Sequence, residues 1–212
     1  MALLALAFSA PAFADIISGT VTGGTAQTAG GTFVLLSTPL ANPFGPPDSV
    51  GNDNFQSPNL YAFDEQQNVT LAAPLATNVG ENPIPAGTIV SSYYIFFDPG
   101  PSEQVIGTVT FDSAVLAIIT DTTNLANSDF LSNPALNYLN PSQRGLEAGD
   151  SVTISGPQQI LFDTIASSPG DYVRVITAAS QGSGTTQTPE PGTFALLLIG
   201  LLGLSAVLLK RN

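Results

Sequence analysis

The side chains best suited to bind a ligand lie in one loop that is rich in acids and amides. They fall within seven consecutive residues, as Asp48, Asn52, Asp53 and Asn54. Ca²⁺ prefers carboxylate and amide oxygens, so this cluster is compatible with a calcium site, although the ligand spacing of an EF-hand is absent. The same side chains could instead form Asx turns in a polar loop. We expect no cofactor other than calcium.

Catalysis is restricted by the residue types that the sequence lacks. There is no His and no Cys, which removes Ser–His and Cys–His pairs, the usual zinc sites and haem ligation. The sixteen Asp and Glu residues could formally supply the carboxylate pair of a glycoside hydrolase. No spacing selects such a pair, and there is no Trp to stack against a sugar ring. We therefore predict that the protein is not an enzyme.

The tyrosines of the chain could either form a carbohydrate-binding surface or pack in the hydrophobic core. They are Tyr61, Tyr93, Tyr94, Tyr138 and Tyr172. A tyrosine ring serves both purposes, because it has an apolar body and a polar tip. We favour core packing over a carbohydrate platform.

The charge balance excludes nucleic acid as a partner. The net charge is −12, and two of the four cations, Lys210 and Arg211, lie in the C-terminal tail. The rest of the chain has only Arg144 and Arg174, which cannot neutralise a run of phosphates. We expect both arginines to form ion pairs with the abundant acids.

The C-terminal residues have the composition of a membrane span. The sixteen residues of 194–209 are rich in Leu and uncharged, and Lys210 and Arg211 follow directly. An apolar run that ends in positive charge predicts a transmembrane helix whose C-terminal end stays on the cytoplasmic side. At about 1.5 Å per residue the run gives roughly 24 Å, less than the roughly 30 Å hydrocarbon core. We therefore extend the predicted helix to 193–209, with the two cations as its stop.

A short rigid motif precedes this apolar run, formed by Pro189, Glu190 and Pro191. Pro-Glu-Pro, a Leu-rich span and a short basic end together resemble the PEP-CTERM protein-sorting signal, over 189–212. The resemblance implies that an exosortase, a transpeptidase-like membrane enzyme, cuts near the motif and passes the protein to the cell surface. It also implies a Gram-negative bacterium that makes exopolysaccharide. The alternative is a plain tail anchor.

The N-terminus has features of a secretory signal peptide. Residues 1–13 are apolar, and Ala-Phe-Ala at 12–14 forms an Ala-x-Ala cleavage site. We predict cleavage between Ala14 and Asp15, which makes 1–14 the signal peptide. No Lys or Arg precedes the apolar region, so we interpret the signal as truncated at its N-terminus.

Between the two signals, the sequence predicts one extracytoplasmic all-β domain over 15–178 and a flexible Gly/Ser/Thr/Gln linker over 179–188. About nine short β-branched and aromatic runs, separated by Gly, Pro, Asn and Asp, predict an antiparallel β-sandwich or jelly-roll-like domain. The clearest strand is 88–97, whose odd and even residues should lie on opposite faces.

Finer predictions concern individual segments of this domain. Residues 32–37 are predicted to form a buried strand, 42–58 a long loop, and 121–144 short helical turns. Near the end of the domain, the two valines of 171–175 are predicted to face inward. Tyr172 and Arg174 are predicted to face outward.

These observations lead to three hypotheses for the function. The first is an exported surface or extracellular-matrix protein with a structural or adhesive role, because charged residues are only 9% of the chain and no catalytic group stands out. The second is a carbohydrate- or calcium-binding module, and the third is a carboxylate-dependent glycoside hydrolase. The expected partners are the secretion machinery, an exosortase, the membrane and exopolysaccharide. We expect transient anchoring in the inner membrane, followed by transfer to the cell surface or matrix.

Overall fold

Short strands joined by turns make up most of the body. The computed structural model describes residues 15–37, 40, 44–51 and 53–179. The strands are β1 (Ile16–Gly23), β2 (Phe33–Leu35), β3 (Ser49–Val50), β4 (Leu60–Asp64), β5 (Val69–Thr70), β6 (Val79–Gly80), β7 (Ile89–Phe97), β8 (Glu103–Phe111), β9 (Val115–Ile119), β10 (Asn137–Tyr138), β11 (Ser151–Gly156), β12 (Gln159–Ala166) and β13 (Asp171–Ala178). The helices are α1 (Gly24–Thr28), α2 (Thr122–Asn127) and two single 3-10 turns over Asp129–Leu131 and Pro141–Gln143.

The strands form two main sheets of unequal size. The four-stranded sheet has the order β1-β8-β12-β11 and is antiparallel throughout. The seven-stranded sheet has the order β2-β4-β7-β13-β9-β6, with β5 also paired to β7. A separate two-residue pair joins β3 to β10.

The two main sheets share one apolar layer. Alternate side chains of each strand point into it, because successive residues of a strand lie on opposite faces. The four-stranded sheet contributes Val105, Val109, Phe111, Ile160 and Phe162, and the seven-stranded sheet contributes Tyr93, Ile95, Phe97, Val173 and Val175. The described body is mostly β-sheet with few helical residues, which confirms the prediction of an all-β fold.

The seven-stranded sheet is covered on its other face as well. The described residues of 40–58, 71–84 (apart from β6) and 120–146 bury a second apolar cluster there. We call these three segments the cover layer. Burying apolar surface contributes about 25 cal/mol per Å², so the cover layer adds to the stability of the sheet beneath it.

The predicted outward orientation of two residues on β13 needs correction. Tyr172 and Arg174 do point away from Val173 and Val175, but both are 0% exposed because the cover layer lies over them. Alternation along a strand identifies its two faces and says nothing about whether the second face is covered.

The prediction that all strands pair in an antiparallel way also needs correction. β2 pairs in parallel with β4, and β3 pairs in parallel with β10. The predicted buried strand at 32–37 is the edge strand β2, and Leu35 is 49% exposed because β2 has a neighbour on one side only. The long loop predicted at 42–58 contains β3, and the short helical turns predicted at 121–144 are present.

Several predicted segments lie outside the described residues. They are the signal peptide 1–14, the linker beyond residue 179, and the sorting segment 189–212 with its transmembrane helix 193–209. Among the helices of the described ranges, none has the length and apolar character needed to cross a bilayer.

Candidate functional site

The outer face of the four-stranded sheet carries an array of hydroxyl and amide side chains. All of them are exposed or half-buried. They come from all four strands, and we call them the polar face: Thr20, Thr22, Thr108, Thr110, Ser151, Thr153, Ser155 and Gln159. Their positions follow from alternation, since the residues between them point into the core.

Strand register arranges the polar face in cross-strand rows. One row runs from Thr20 to Thr108, on to Leu161 and then to Thr153. Side chains directly opposite each other in such rows have Cβ atoms about 4.5–5.5 Å apart. In the adjacent row, Ser155 Oγ donates to Gln159 Oε1 at 3.2 Å, and Gln159 Nε2 donates to Thr110 Oγ1 at 3.2 Å. The rows therefore present donors and acceptors at regular spacing.

Charge on this side of the sheet is almost absent. Asp163 is flanked by the polar face, and its Oδ1 accepts a hydrogen bond from Gln104 Nε2 at 3.0 Å. Apolar side chains lie between the hydroxyls, and Ile165 is 57% exposed. A surface that alternates hydroxyl, amide and apolar groups and carries little charge can contact a neutral ligand that has the same mixture of groups.

The predicted calcium ligands are partly engaged in holding their own loop. Asp48 Oδ1 accepts from the backbone N–H of Leu40 at 3.1 Å, and Asp53 Oδ2 accepts from Ser168 Oγ. Asn54 is buried, and its Nδ2 donates to Ser49 Oγ at 2.9 Å. Asn52 lies outside the described residues. Within those residues no group of three or more acids suited to a metal was found, and the calcium site stays a prediction.

Three carboxyl groups in the described body have a raised pKa. Burial is the main cause in each case. It raises the pKa of Asp64 to about 6, of Asp98 to about 6 and of Asp171 to about 7, with repulsion from nearby acids adding to the shift. The acidic neighbours are Asp15 and Asp112 for Asp64, Asp53 for Asp98, and Asp150 and Glu147 for Asp171. Carboxyl groups perturbed in this way are candidates for function.

A concave pocket of about 380 Å³ lies beside one of these groups. Its lining consists of Leu35, Leu36, Ser37, Phe63 and Asp64. A glycoside hydrolase needs two carboxyl groups that flank the bond to be cut. The lining residues that the structure describes include one carboxyl group, Asp64, so they do not by themselves favour the hydrolase hypothesis.

Both arginines of the body form ion pairs, which confirms that prediction. Arg174 donates from Nε to Glu65 Oε2 at 2.6 Å and from Nη2 to Oε1 at 2.8 Å, and both side chains are fully buried. Arg144 makes two bonds to Asp129, at 3.0 and 2.8 Å. Tyr138 Oη also donates to Glu65 Oε1, at 2.7 Å. These contacts tie the cover layer to the seven-stranded sheet, which is a structural role.

The tyrosines pack in the core, as we favoured. Tyr93, Tyr94 and Tyr172 are completely buried, and Tyr61 is nearly so. Tyr138 is half-buried, and its ring meets that of Tyr94 edge-on with centroids 5.2 Å apart. A carbohydrate platform built from these rings was therefore the wrong alternative.

Comparison with known proteins identifies the C-terminal segment. Residues 187–211 match the PEP-CTERM protein-sorting motif, which confirms the resemblance drawn from Pro189, Glu190 and Pro191. The chain thus carries a sorting signal, and the signal indicates an exported, exosortase-targeted protein of the cell surface. No match was found among curated proteins or among solved structures. The domain 15–178 lies outside the matched residues.

Most of the residues predicted for sorting cannot be placed, because the structure does not describe them. They are Ala14 of the cleavage site, the motif Pro189, Glu190 and Pro191, and the cations Lys210 and Arg211. Asp15 is described and precedes β1 directly.

The polar face was missed by the sequence analysis, although its signal was present. Hydroxyl residues alternate with buried or half-buried apolar residues in 108–111 and again in 151–155. Each run alone predicts an ordinary half-buried strand. Only the register between strands shows that the hydroxyls of four strands share one surface.

Proposed function

We propose that this protein is a structural or adhesive component of the bacterial cell surface or extracellular matrix and has no catalytic activity. The sorting motif supports the destination. The polar face is the observation that carries the adhesive role. We further propose a Gram-negative host, in which 193–209 anchors the chain transiently in the inner membrane until the exosortase acts.

The partner that best fits the polar face is a neutral, hydroxyl-rich polysaccharide. Each Thr or Ser hydroxyl can donate one hydrogen bond and accept two, which matches the hydroxyls of a sugar chain. Leu161 and Ile165 supply apolar contacts for the C–H groups of the sugar rings. The chain as a whole carries a net charge of −12, but the polar face carries little charge. The face therefore neither repels an anionic polymer strongly nor attracts a cationic one.

Removing hydroxyl groups from the polar face tests this proposal. Thr20→Val, Thr108→Val and Thr153→Val keep side-chain shape and suit a strand, so the fold should be retained. A hydrogen bond contributes about 0.5–1.5 kcal/mol, so three losses should weaken binding by about tenfold or more. The measurement is co-sedimentation of the full chain, in detergent, with exopolysaccharide purified from the host.

A matched control places the same three changes elsewhere on the surface. Thr28→Val, Thr70→Val and Thr123→Val alter exposed threonines outside the polar face, and binding should be unchanged. Equal binding by both triple variants and the original protein would refute the adhesive role of the face. If the protein forms dimers through the polar face when no polysaccharide is present, the partner of the face is a second copy of the chain and not a polysaccharide.

The sorting step is tested separately from the adhesive one. Pro189→Ala, Glu190→Ala and Pro191→Ala together should abolish processing and surface exposure, measured by surface labelling of the host. Unchanged processing and surface exposure would show that the Pro-Glu-Pro motif does not direct sorting, and would leave the polar-face result intact.

A calcium-binding role is the second candidate, favoured by one observation. Asp98 is completely buried, and its Oδ1 has no hydrogen-bond partner, while Oδ2 accepts from the backbone N–H of Phe55 at 3.0 Å. Asp53 lies close enough for its charge to raise the pKa of Asp98, and Asp53 Oδ1 is also without a partner. Calorimetric titration with Ca²⁺ should show binding that Asp53→Asn abolishes and Asp163→Asn preserves. A silent titration would remove this candidate.

A further inference from the structure

Three aspartates lie near one another where the body of the protein begins. Asp15 precedes β1, Asp64 ends β4, and Asp112 follows β8. The backbone N–H of Asp112 donates to the carbonyl of Asp15 at 3.1 Å, and the backbone N–H of Ile16 lies near enough to the carboxyl group of Asp64 to lower its pKa. We call Asp15, Asp64 and Asp112 the acidic end cluster.

This cluster has no basic partner among the described residues. Oδ1 of Asp64 and Oδ1 of Asp112 are buried without a hydrogen bond. Burial, together with the charges of Asp15 and Asp112, raises the pKa of Asp64 to about 6. The two cations that the structure describes, Arg144 and Arg174, are paired with acids elsewhere. A positive charge added at the cluster would therefore stabilise the folded body.

We propose that removal of the signal peptide supplies this charge, because cleavage between Ala14 and Asp15 creates an α-ammonium group beside Asp64 and Asp112. Cleavage is a hydrolysis in which water adds across the peptide bond. The new carboxyl group leaves with Ala14, and the nitrogen of Asp15 becomes an amine. That amine takes up a proton at neutral pH, since a terminal amine has an ordinary pKa of about 7.7–8.0. Before cleavage the same nitrogen is an uncharged amide.

The position of this nitrogen follows from the backbone of β1. One extended residue spans about 3.3–3.6 Å, so the nitrogen of Asp15 lies about that far from the nitrogen of Ile16. Because the backbone N–H of Ile16 acts on the Asp64 carboxyl group, the ammonium lies about one residue length farther from that carboxylate than the nitrogen of Ile16 does. Opposite charges at such a separation still attract in a partly buried site.

The ammonium group would stabilise the start of β1, which is an edge strand of the four-stranded sheet. Ile16 is buried and is the first residue of β1 to pair with β8, opposite Phe111. Holding Asp15 in place secures this end of an edge strand that is paired on one side only. The body thus reaches full stability only after export and cleavage, and the precursor is less stable.

Three forms of the chain from Asp15 to Asn212, in one detergent, test the proposal. The first has a free Asp15 amine, the second is acetylated at Asp15, and the third keeps Ala14 as an extra residue. At pH 7 we expect the free-amine form to unfold about 2–4 °C above the other two, the shift typical of a single modest interaction in a domain of this size. The difference from the acetylated form should vanish above about pH 10, where the amine is neutral.

Variants show whether the acidic end cluster is responsible. Asp64→Asn should remove most of the difference between the free and acetylated forms, and Asp112→Asn serves if Asp64→Asn does not fold. Asp163→Asn, far along the four-stranded sheet, should preserve the difference. Equal midpoints for all three forms at pH 7, or a difference that persists in both cluster variants, would overturn the proposal. So would an exported protein that begins at a residue other than Asp15.

Discussion

The guanidinium group of Arg174 joins three segments of the chain beneath the cover layer. It is paired with Glu65, and its Nη1 donates to Leu125 O at 3.1 Å and to Ser128 Oγ at 2.6 Å. Burial disfavours the charge of Arg174, yet the Glu65 carboxylate outweighs burial and raises the pKa of Arg174. Removal of one partner from a buried pair leaves the other charge without compensation.

Arg174→Met should therefore lower the free energy of unfolding by about 3–5 kcal/mol. The double variant Glu65→Gln with Arg174→Met should lose less than the single variant, because no charge is left buried. Urea denaturation measures both, with Glu81→Gln, at an exposed position, as the control. An Arg174→Met protein within about 1 kcal/mol of the original would contradict this role for the pair.

Asp171 should make stability depend on pH. Burial is the first cause of its raised pKa, from 3.8 to about 7, and the nearby hydroxyl group of Thr164 acts in the opposite direction. A group whose pKa is raised by folding contributes stability that is complete below its unfolded value and is lost as the pH rises through its folded value. Asp171 thus favours the folded state near pH 4 and disfavours it near pH 8.

Asp171→Asn cannot ionise, so the variant should be about 1–3 kcal/mol more stable than the original protein at pH 8. At pH 4 the two should differ little. Urea denaturation at both pH values makes the comparison, and Asp163→Asn makes the same change at a half-buried aspartate as the control. A stability difference that is the same at both pH values would show that Asp171 does not titrate in this range.

At the scale of elements, α2 depends on its N-cap. Asp121 Oδ1 accepts from the backbone N–H of Asn124 at 2.8 Å, and Oδ2 accepts from Asn124 Nδ2 at 2.7 Å. Leu125 anchors the helix in the cover layer and is completely buried. A helix of six residues is not stable alone, so the cap and the buried leucine decide whether it forms.

Asp121→Ala should lower the free energy of unfolding by about 1 kcal/mol, the usual effect of losing a capping carboxylate. Asp121→Asn keeps an oxygen acceptor and should lose less. Urea denaturation would rank the three proteins. If Asp121→Ala proved as stable as the original, the cap would contribute nothing to α2.

Elements whose pattern is local were predicted best. Strand β7 follows directly from the alternation in 88–97, and the arginine pairs follow from having two cations among many acids. The parallel edge strand β2 and the cover layer were not predicted, because both depend on which segments meet across the chain. Alternation reports the two faces of a strand, and it cannot show that loops bury the second face over Tyr172 and Arg174.

At the scale of the whole molecule, the candidate site was predicted in one part and missed in another. The sorting motif is contiguous, so Pro189, Glu190 and Pro191 identified it directly. The polar face is assembled from four strands that are distant in sequence. The acidic end cluster likewise joins Asp15, Asp64 and Asp112 only in the folded body. Contacts of this kind are set by strand register, which sequence pattern alone leaves open.

We propose that the chain is exported and then processed at both ends. Mass spectrometry of the protein recovered from the host cell surface tests it most directly, because one measurement reads both termini. We expect an N-terminus at Asp15 and a C-terminus near Pro189-Glu190-Pro191. A full-length polypeptide found in the cytosol, with neither end removed, would contradict it.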